Sequence, residues 1–380
     1  MIRLFSIVFS TFFIVFSSCN SSGEKNQEPK FEEKEISIKF IDEYIFPQQQ
    51  LYKNTLVGGL SGIDFNKGKW YFICDDSNTP IRFYTATIDY DLQGFSNVTL
   101  TDVVVFKGEN GEPLSSGIAD PESIRVTKNN TVVWSSEGGT NGGVNPFVRE
   151  ASLNGDFIRS FTVADKFKVS ADENMGPRNN GVFESLSLAA NSRDYWTATE
   201  LPLKQDGPEP KTEDAVTPVR IVNISEDGNF EKEFVYELNS VPKPAINGTN
   251  LEINGLVELL AYDTNKFLAL ERSFSSGYLD GGGNTVKIYD VDISNATDVS
   301  GVTKLAGEVY TASSKELIFD FDSIRNELTN ATVDNIEGIT FGPNFENGNR
   351  SLVVIADDNF SSFAPQLNQF IVLEVENLKN

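Results

Sequence analysis

Four short segments place a carboxylate inside an apolar tetrapeptide: Pro121-Glu122-Ser123-Ile124, Phe183-Glu184-Ser185-Leu186, Val257-Glu258-Leu259-Leu260 and Ile336-Glu337-Gly338-Ile339. Leu60-Ser61-Gly62-Ile63 is a weaker copy with Ser in place of the acid. After each comes a second apolar run that ends on acid: Cys74-Asp75-Asp76, Ser136-Glu137, Thr199-Glu200, Leu270-Glu271 and Ala356-Asp357-Asp358. Carboxylates gathered by a repeat can hold a hard cation through oxygen, or exchange protons with water and substrate. The metal-holding candidates are Asp76 (with Asp75 as its alternative), Glu122, Glu137, Glu184, Glu200, Glu258, Glu271, Glu337 and Asp357 (with Asp358 as its alternative). Glu122, Glu184 and Glu337 are the candidates for catalysis. Arg82, Arg178 and Arg272 lie close to these motifs, and an Arg fork can grip phosphate or carboxylate with two bonds. The same three arginines could instead close internal salt bridges to the acids.

Composition narrows the chemistry. The chain has no histidine, which excludes Ser-His and Cys-His pairs and imidazole-based zinc or copper sites. Its net charge of −24, from 31 basic and 55 acidic residues, repels nucleic acid and anionic lipid, which are bound through Lys and Arg. An anionic substrate could approach only through a bridging metal. Ca²⁺, which takes six to eight oxygen ligands, suits such a ring of acids. Cys74 lies in the apolar run Trp70-Tyr71-Phe72-Ile73-Cys74 and reads as a buried structural thiol.

The elements that must position these acids are strands. The acidic tetrapeptides and their weaker copy stand 61, 62, 74 and 79 residues apart, and a spacing of this order marks a repeat architecture. Each repeat has room for four short strands with turns between them, as at Asn129-Asn130 and Asn154-Gly155-Asp156. The last repeat runs out of chain before its fourth strand, while an unused strand, Ile36 to Ile45, lies at the other end. This is the arithmetic of an all-β, closed β-propeller in which the N-terminal strand completes the last blade. Direct count gives five blades, or six if the stretch from Ser273 to Asn335 hides another. In each blade the first two strands form a hairpin, so the start of one lies beside the end of the other. Up to nine carboxylates would then ring one mouth of the channel.

The N-terminus has the pattern of a targeting segment. Arg3, an apolar run from Leu4 to Phe16 and then Ser17-Ser18-Cys19 read as a bacterial lipoprotein signal, with Cys19 lipidated. The expected organisation is a signal peptide over 1–18, a polar tether over 19–35 and the propeller over 36–380. The expected setting is the cell envelope, with the monomeric protein anchored to the outer membrane on its periplasmic or surface side.

The motifs also carry a resemblance. They are Leu60-Ser61-Gly62-Ile63-Asp64, Asp75-Asp76-Ser77 with Arg82-Phe83-Tyr84, Ala119-Asp120-Pro121-Glu122-Ser123-Ile124 and Asn180-Gly181-Val182-Phe183-Glu184-Ser185-Leu186. They continue with Leu270-Glu271-Arg272-Ser273-Phe274, Ile336-Glu337-Gly338-Ile339 and Asp357-Asp358-Asn359-Phe360. In this order the chain resembles the phytase-like domain family labelled "esterase-like activity of phytase". The resemblance implies a secreted or periplasmic propeller that hydrolyses phosphoesters or esters. Without histidine, and with no Gly-x-Ser-x-Gly elbow, a serine esterase mechanism is excluded. Three functions remain open: a metal-dependent phosphoester hydrolase, a ligand- or partner-binding propeller without catalysis, and a metal-dependent carboxylic ester or lactone hydrolase.

Overall fold

A computed structural model describes residues 35–378, apart from 214, 247, 280, 281 and 362–365. The expected signal peptide, Cys19 and most of the tether lie outside the described residues. Five antiparallel four-stranded sheets form the blades of a propeller. Blade one is Leu60–Asn66, Lys69–Cys74, Arg82–Asp91 and Gly94–Val105. Blade two is Pro121–Val126, Thr131–Ser136, Phe147–Ser152 and Phe157–Ser160. Blade three is Phe183–Leu188, Tyr195–Thr199, Pro218–Ile224 and Phe230–Glu237. Blade four is Glu252–Asp263, Lys266–Ser275, Asn284–Asp292 and Ser314–Asp320. Ile336–Phe341, Arg350–Ala356 and Asn368–Glu376 make three strands of blade five, and Ser37–Phe46 supplies its outer strand.

Ser37 lies opposite Glu376 and Phe46 opposite Asn368, so the chain's first described strand closes the ring against its last. Between Ser273 and Asn335 the chain holds the outer strands of blade four and short 3₁₀ turns; among the described residues it adds no further sheet.

The core is divided among the seams between blades. Trp134 and Val126 of blade two pack with Ile73 and Phe83 of blade one. Phe183 and Leu186 of blade three pack with Val133 and Val148 of blade two. Blades three and four share Trp196, Leu256 and Phe267. Blades four and five share Leu268, Ile288, Ile339 and Val354. Blades five and one share Phe72, Ile63, Ile355 and Phe370. A strand buried between two seams is apolar on both faces, which explains runs such as Trp70–Cys74 and Ser351–Ala356 that do not alternate.

Inner strands carry a bulge near their first residues. The pairing skips a residue after Leu60, Phe183, Leu256 and Ile336, and two residues after Pro121. A bulge re-aims side chains that would otherwise alternate between faces. Space at the axis is scarce: a Cβ on Gly62 would stand 2.6 Å from the Glu122 carbonyl oxygen, and one on Gly338 2.8 Å from that of Ser61.

Candidate functional site: an acidic channel mouth

Strand pairing fixes which residues are equivalent. Leu60 faces Cys74, Pro121 faces Ser136, Phe183 faces Thr199 and Ile336 faces Ala356. The residue after each first-strand member is Ser61, Glu122, Glu184 or Glu337. The residue after each partner is Asp75, Glu137, Glu200 or Asp357. These side chains form the mouth of the channel. Six of the seven acids (Glu122, Glu137, Glu184, Glu200, Glu337 and Asp357) are buried, and Asp75 is half-buried.

In blade four Leu256 faces Glu271. Pairing therefore puts Val257 and Arg272, rather than Glu258 and Glu271, at the ring positions. The difference from the tetrapeptide alignment is one residue, and one residue of register exchanges the faces of a strand. Glu258 lies one step deeper, at the level of Gly62, Ser123, Ser185 and Gly338. There its Oε2 accepts from Ser123 Oγ at 2.7 Å and Arg125 Nη2 at 2.9 Å, and its Oε1 from the backbone N–H of Leu186 at 2.8 Å. Arg125 also donates to the carbonyls of Ile63 at 2.6 Å and Ile339 at 3.3 Å. The fully buried Glu258–Arg125 pair thus touches all five blades and fills the axis below the mouth. Burial pushes the Glu258 carboxyl up to about 7, against the pull of Arg125. Glu271 turns the other way, accepting from Tyr236 Oη at 2.5 Å, Asn254 Nδ2 at 2.9 Å and Lys315 Nζ at 2.6 Å.

Arg272 is the cation of the ring. Its Nη2 donates to Glu337 Oε1 at 2.7 Å and lies 3.7 Å from Glu200 Oε1. Glu337 Oε1 also accepts from Asn335 Nδ2 at 3.0 Å. Glu137 Oε1 accepts from the backbone N–H of Gly181 and, at 2.6 Å, of Val182. Asp120, directly before the second tetrapeptide, joins the group from the rim.

One oxygen from each of Asp75, Asp120 and Glu122 lies within 4.8 Å of the others, and the same holds for Glu122, Glu137 and Glu184. Burial raises every one of these carboxyls, and their neighbours' negative charge adds to it. Glu137 is pushed up to about 8, by burial and then by Glu200. Glu200 reaches about 7, by burial with Arg272 opposing. Glu122 and Glu184 are held well above the usual carboxylate range, as are Asp75 and Asp357. Acids so arranged either keep their protons or take up a cation. The donors are oxygens only, since no histidine exists and the buried Cys74 thiol points at the Gly58 carbonyl, 3.1 Å away. This donor set fits a hard divalent ion.

The other predicted residues stand apart from the ring. Arg82, 1% exposed, donates to Asp76 Oδ2 at 2.9 Å, Tyr84 Oη at 2.7 Å and the carbonyls of Pro80 and Leu56. Asp76 is accordingly its partner, and Asp75 the ring member. Arg178 clamps the 202–209 loop through the carbonyls of Pro202 and Gly207 and the carboxylate of Glu209. Sequence reasoning did not single out Asp120 or Arg125 as site residues. Asp120 stood inside a quoted motif. Arg125 had one available signal: three residues after Glu122, it is the only basic residue of the buried strand Pro121–Val126.

Several solved structures are similar to this chain. The catalytic domain of a GH62 α-L-arabinofuranosidase from Coprinopsis cinerea is 12% identical, with 90% of this chain and 98% of that one covered and a TM-score of 0.41. A putative glycoside hydrolase from Bacteroides ovatus is 11% identical, over 85% of this chain and 89% of that one, at a TM-score of 0.42. An α-L-arabinofuranosidase from Clostridium thermocellum is 13% identical, over 82% and 88%, at 0.39. No curated protein sequence matches. A family model matches residues 55–360, a span that begins just before blade one and takes in every residue of the acidic mouth. The chain therefore belongs to the phytase-like family described as "esterase-like activity of phytase".

Proposed function

We propose that this protein is a hydrolase of phosphoesters whose acidic mouth works with a bound divalent cation, Ca²⁺ by the hardness of its donors. The observation that carries this reading is the imbalance at the mouth: Asp75, Asp120, Glu122, Glu137, Glu184, Glu200, Glu337 and Asp357 gather there with one guanidinium among the described residues, Arg272, which reaches Glu337 and Glu200. A protein of charge −24 could not otherwise receive a polyanion. The bound ion would neutralise the mouth and polarise an ester oxygen. Glu122, Glu184 and Glu137 would hold it. Glu337, which accepts from Arg272 and Asn335, would take the proton of an attacking water, and burial raises its carboxyl against the pull of Arg272. Arg272 would face the anionic part of the substrate. The family description supports hydrolysis in general.

A second reading, a binding propeller with structural Ca²⁺, is favoured by one observation: Arg82 and Arg178 are turned to the protein's own acids and carbonyls. A carboxylic ester or lactone hydrolase would use the same mouth. The full chain assayed with EDTA and with Ca²⁺, for phosphate release from phytate and nitrophenol release from a phosphate and an acetate ester, separates the three. Ca²⁺-dependent turnover of the phosphates is expected. Turnover of acetate alone selects the carboxylic ester reading, and Ca²⁺-linked stabilisation without turnover selects the binder. Lipid anchoring at Cys19 in the cell envelope belongs to the same proposal; Cys19→Ser should release the protein from membranes.

A further inference from the structure

The carboxylates of the mouth are not one undivided pool. They fall into two groups of three that share a member: Asp75, Asp120 and Glu122 toward the rim, and Glu122, Glu137 and Glu184 within. Proximity alone does not make a site. A second observation points to ligands: Glu122 and Glu184, 6% and 9% exposed, accept no hydrogen bond from any described residue, although both are aimed into the cluster. Beside them the buried Glu200 Oε1 also lacks a hydrogen-bond partner, with Arg272 Nη2 3.7 Å away. Buried carboxylate oxygens without donors are expensive to leave bare. The protein does supply donors where it needs them, as the Gly181 and Val182 N–H groups on Glu137 show.

We infer that the mouth holds two divalent cations, one in each group, with the Glu122 carboxylate as their bridge. The inference rests on the proposed reading of the mouth as a metal site and adds the number of ions and the role of Glu122. Charge supports two. A single dication together with Arg272 offsets three of the eight carboxylates, and a second raises this to five. A shared carboxylate would bring two ions near each other, and a pair roughly 3.5–4 Å apart could hold both the attacking and the leaving oxygen of an in-line displacement. The two sites differ in access. Asp75 and Asp120 are half-buried, whereas Glu122, Glu137 and Glu184 are all buried. The outer ion should exchange faster and bind more weakly than the inner one.

The test is a count of Ca²⁺ bound to the full chain, by equilibrium dialysis with elemental analysis and by calorimetry. Tb³⁺ luminescence gives the number of waters left on each ion. Two ions per chain are expected for the unaltered protein, a result that needs no variant to fold. Asp120→Asn should remove the weaker ion and Glu137→Gln the tighter one. Glu122→Gln should weaken both, each by roughly tenfold or more, because each loses a charged ligand. One ion in the unaltered protein overturns the pair while leaving the metal reading intact. Two ions of which Glu122→Gln affects one overturns the bridge. No bound ion overturns both readings.

Discussion

Blade four and the other four blades meet at the same mouth with opposite chemistry. Blades two, three and five each offer two acids there, and blade one offers Ser61 with Asp75. Blade four offers Val257 and Arg272. Its acids are not missing but displaced by one residue: Glu258 reaches into the axis and Glu271 turns to Tyr236 and Lys315. Small residues at the equivalent deep positions (Gly62, Ser123, Ser185 and Gly338) leave room for the one long side chain. A single offset thus gives the ring its cation and the channel its axial pin. The acids of the mouth stand close together with few donors of their own, whereas those of blade four are satisfied by the protein itself.

The sharpest way to break that contrast is at the pin. Removing one partner of a buried ion pair leaves an unpaired charge and costs about 3–5 kcal/mol. Glu258→Ala or Arg125→Ala should therefore lower the unfolding free energy by that amount, seen as a lower denaturant midpoint with the slope unchanged. Replacing both by Met should recover most of the loss, since apolar substitutes for a complete pair are often neutral. If the single variants are as stable as the parent, the pair does not tie the blades together.

The mouth should behave in the opposite sense, being destabilising until filled. Glu137 and Glu200 have folded-state values of about 8 and about 7, above the ordinary Glu value near 4.3. The folded state then binds more protons than the unfolded one, so these groups favour folding at low pH and lose that contribution as pH rises through about 7 to 8. In EDTA the thermal midpoint should fall between pH 5 and pH 8.5. Ca²⁺ should abolish the fall and add about 2.7 kcal/mol for each site at a hundredfold excess over that site's dissociation constant. A flat profile in EDTA would mean that the acids ionise without a cation.

Much of this was legible in the sequence, and its limits are physical. Blade number, closure by the N-terminal strand and the gathering of acids at one end follow from apolar runs and turns, which are local. Which acid points where depends on the bulges, and a bulge is decided by packing at the axis rather than by the residue that bulges. Aligning repeats on the carboxylate therefore misplaced Glu258 by one residue. Aligning on the flanking apolar residues, Leu256 and Leu259 against Phe183 and Leu186, would have placed it. Arg82 enters its strand close to the rim in sequence, but its Nε donates to Tyr84 and its Nη2 to the Leu56 carbonyl in the hairpin before blade one, a contact no spacing announces.

Arg272 tests the ring's one exception. Arg272→Gln removes a charge-assisted bond to Glu337, worth about 1.5–3 kcal/mol in the metal-free protein. It also takes a positive charge out of the ring, so Ca²⁺ should bind more tightly while turnover of an anionic ester falls. Weaker Ca²⁺ binding in this variant would show that Arg272 organises the ligands rather than competing with the ion.

The smallest expected effect falls on Glu271, and it discriminates best between the two registers. Strand pairing sets this residue between Tyr236, Asn254 and Lys315, away from the mouth. Glu271→Gln keeps the shape and part of the hydrogen bonding but loses the ion pair, so a cost of about 1 kcal/mol is expected. The number of bound Ca²⁺ ions and their affinities should not change. The acid-centred alignment predicts the reverse, a lost ion with little loss of stability. One titration of this variant beside Glu184→Gln, which should lose an ion, decides whether blade four stands in the ring through Arg272 or through its carboxylate.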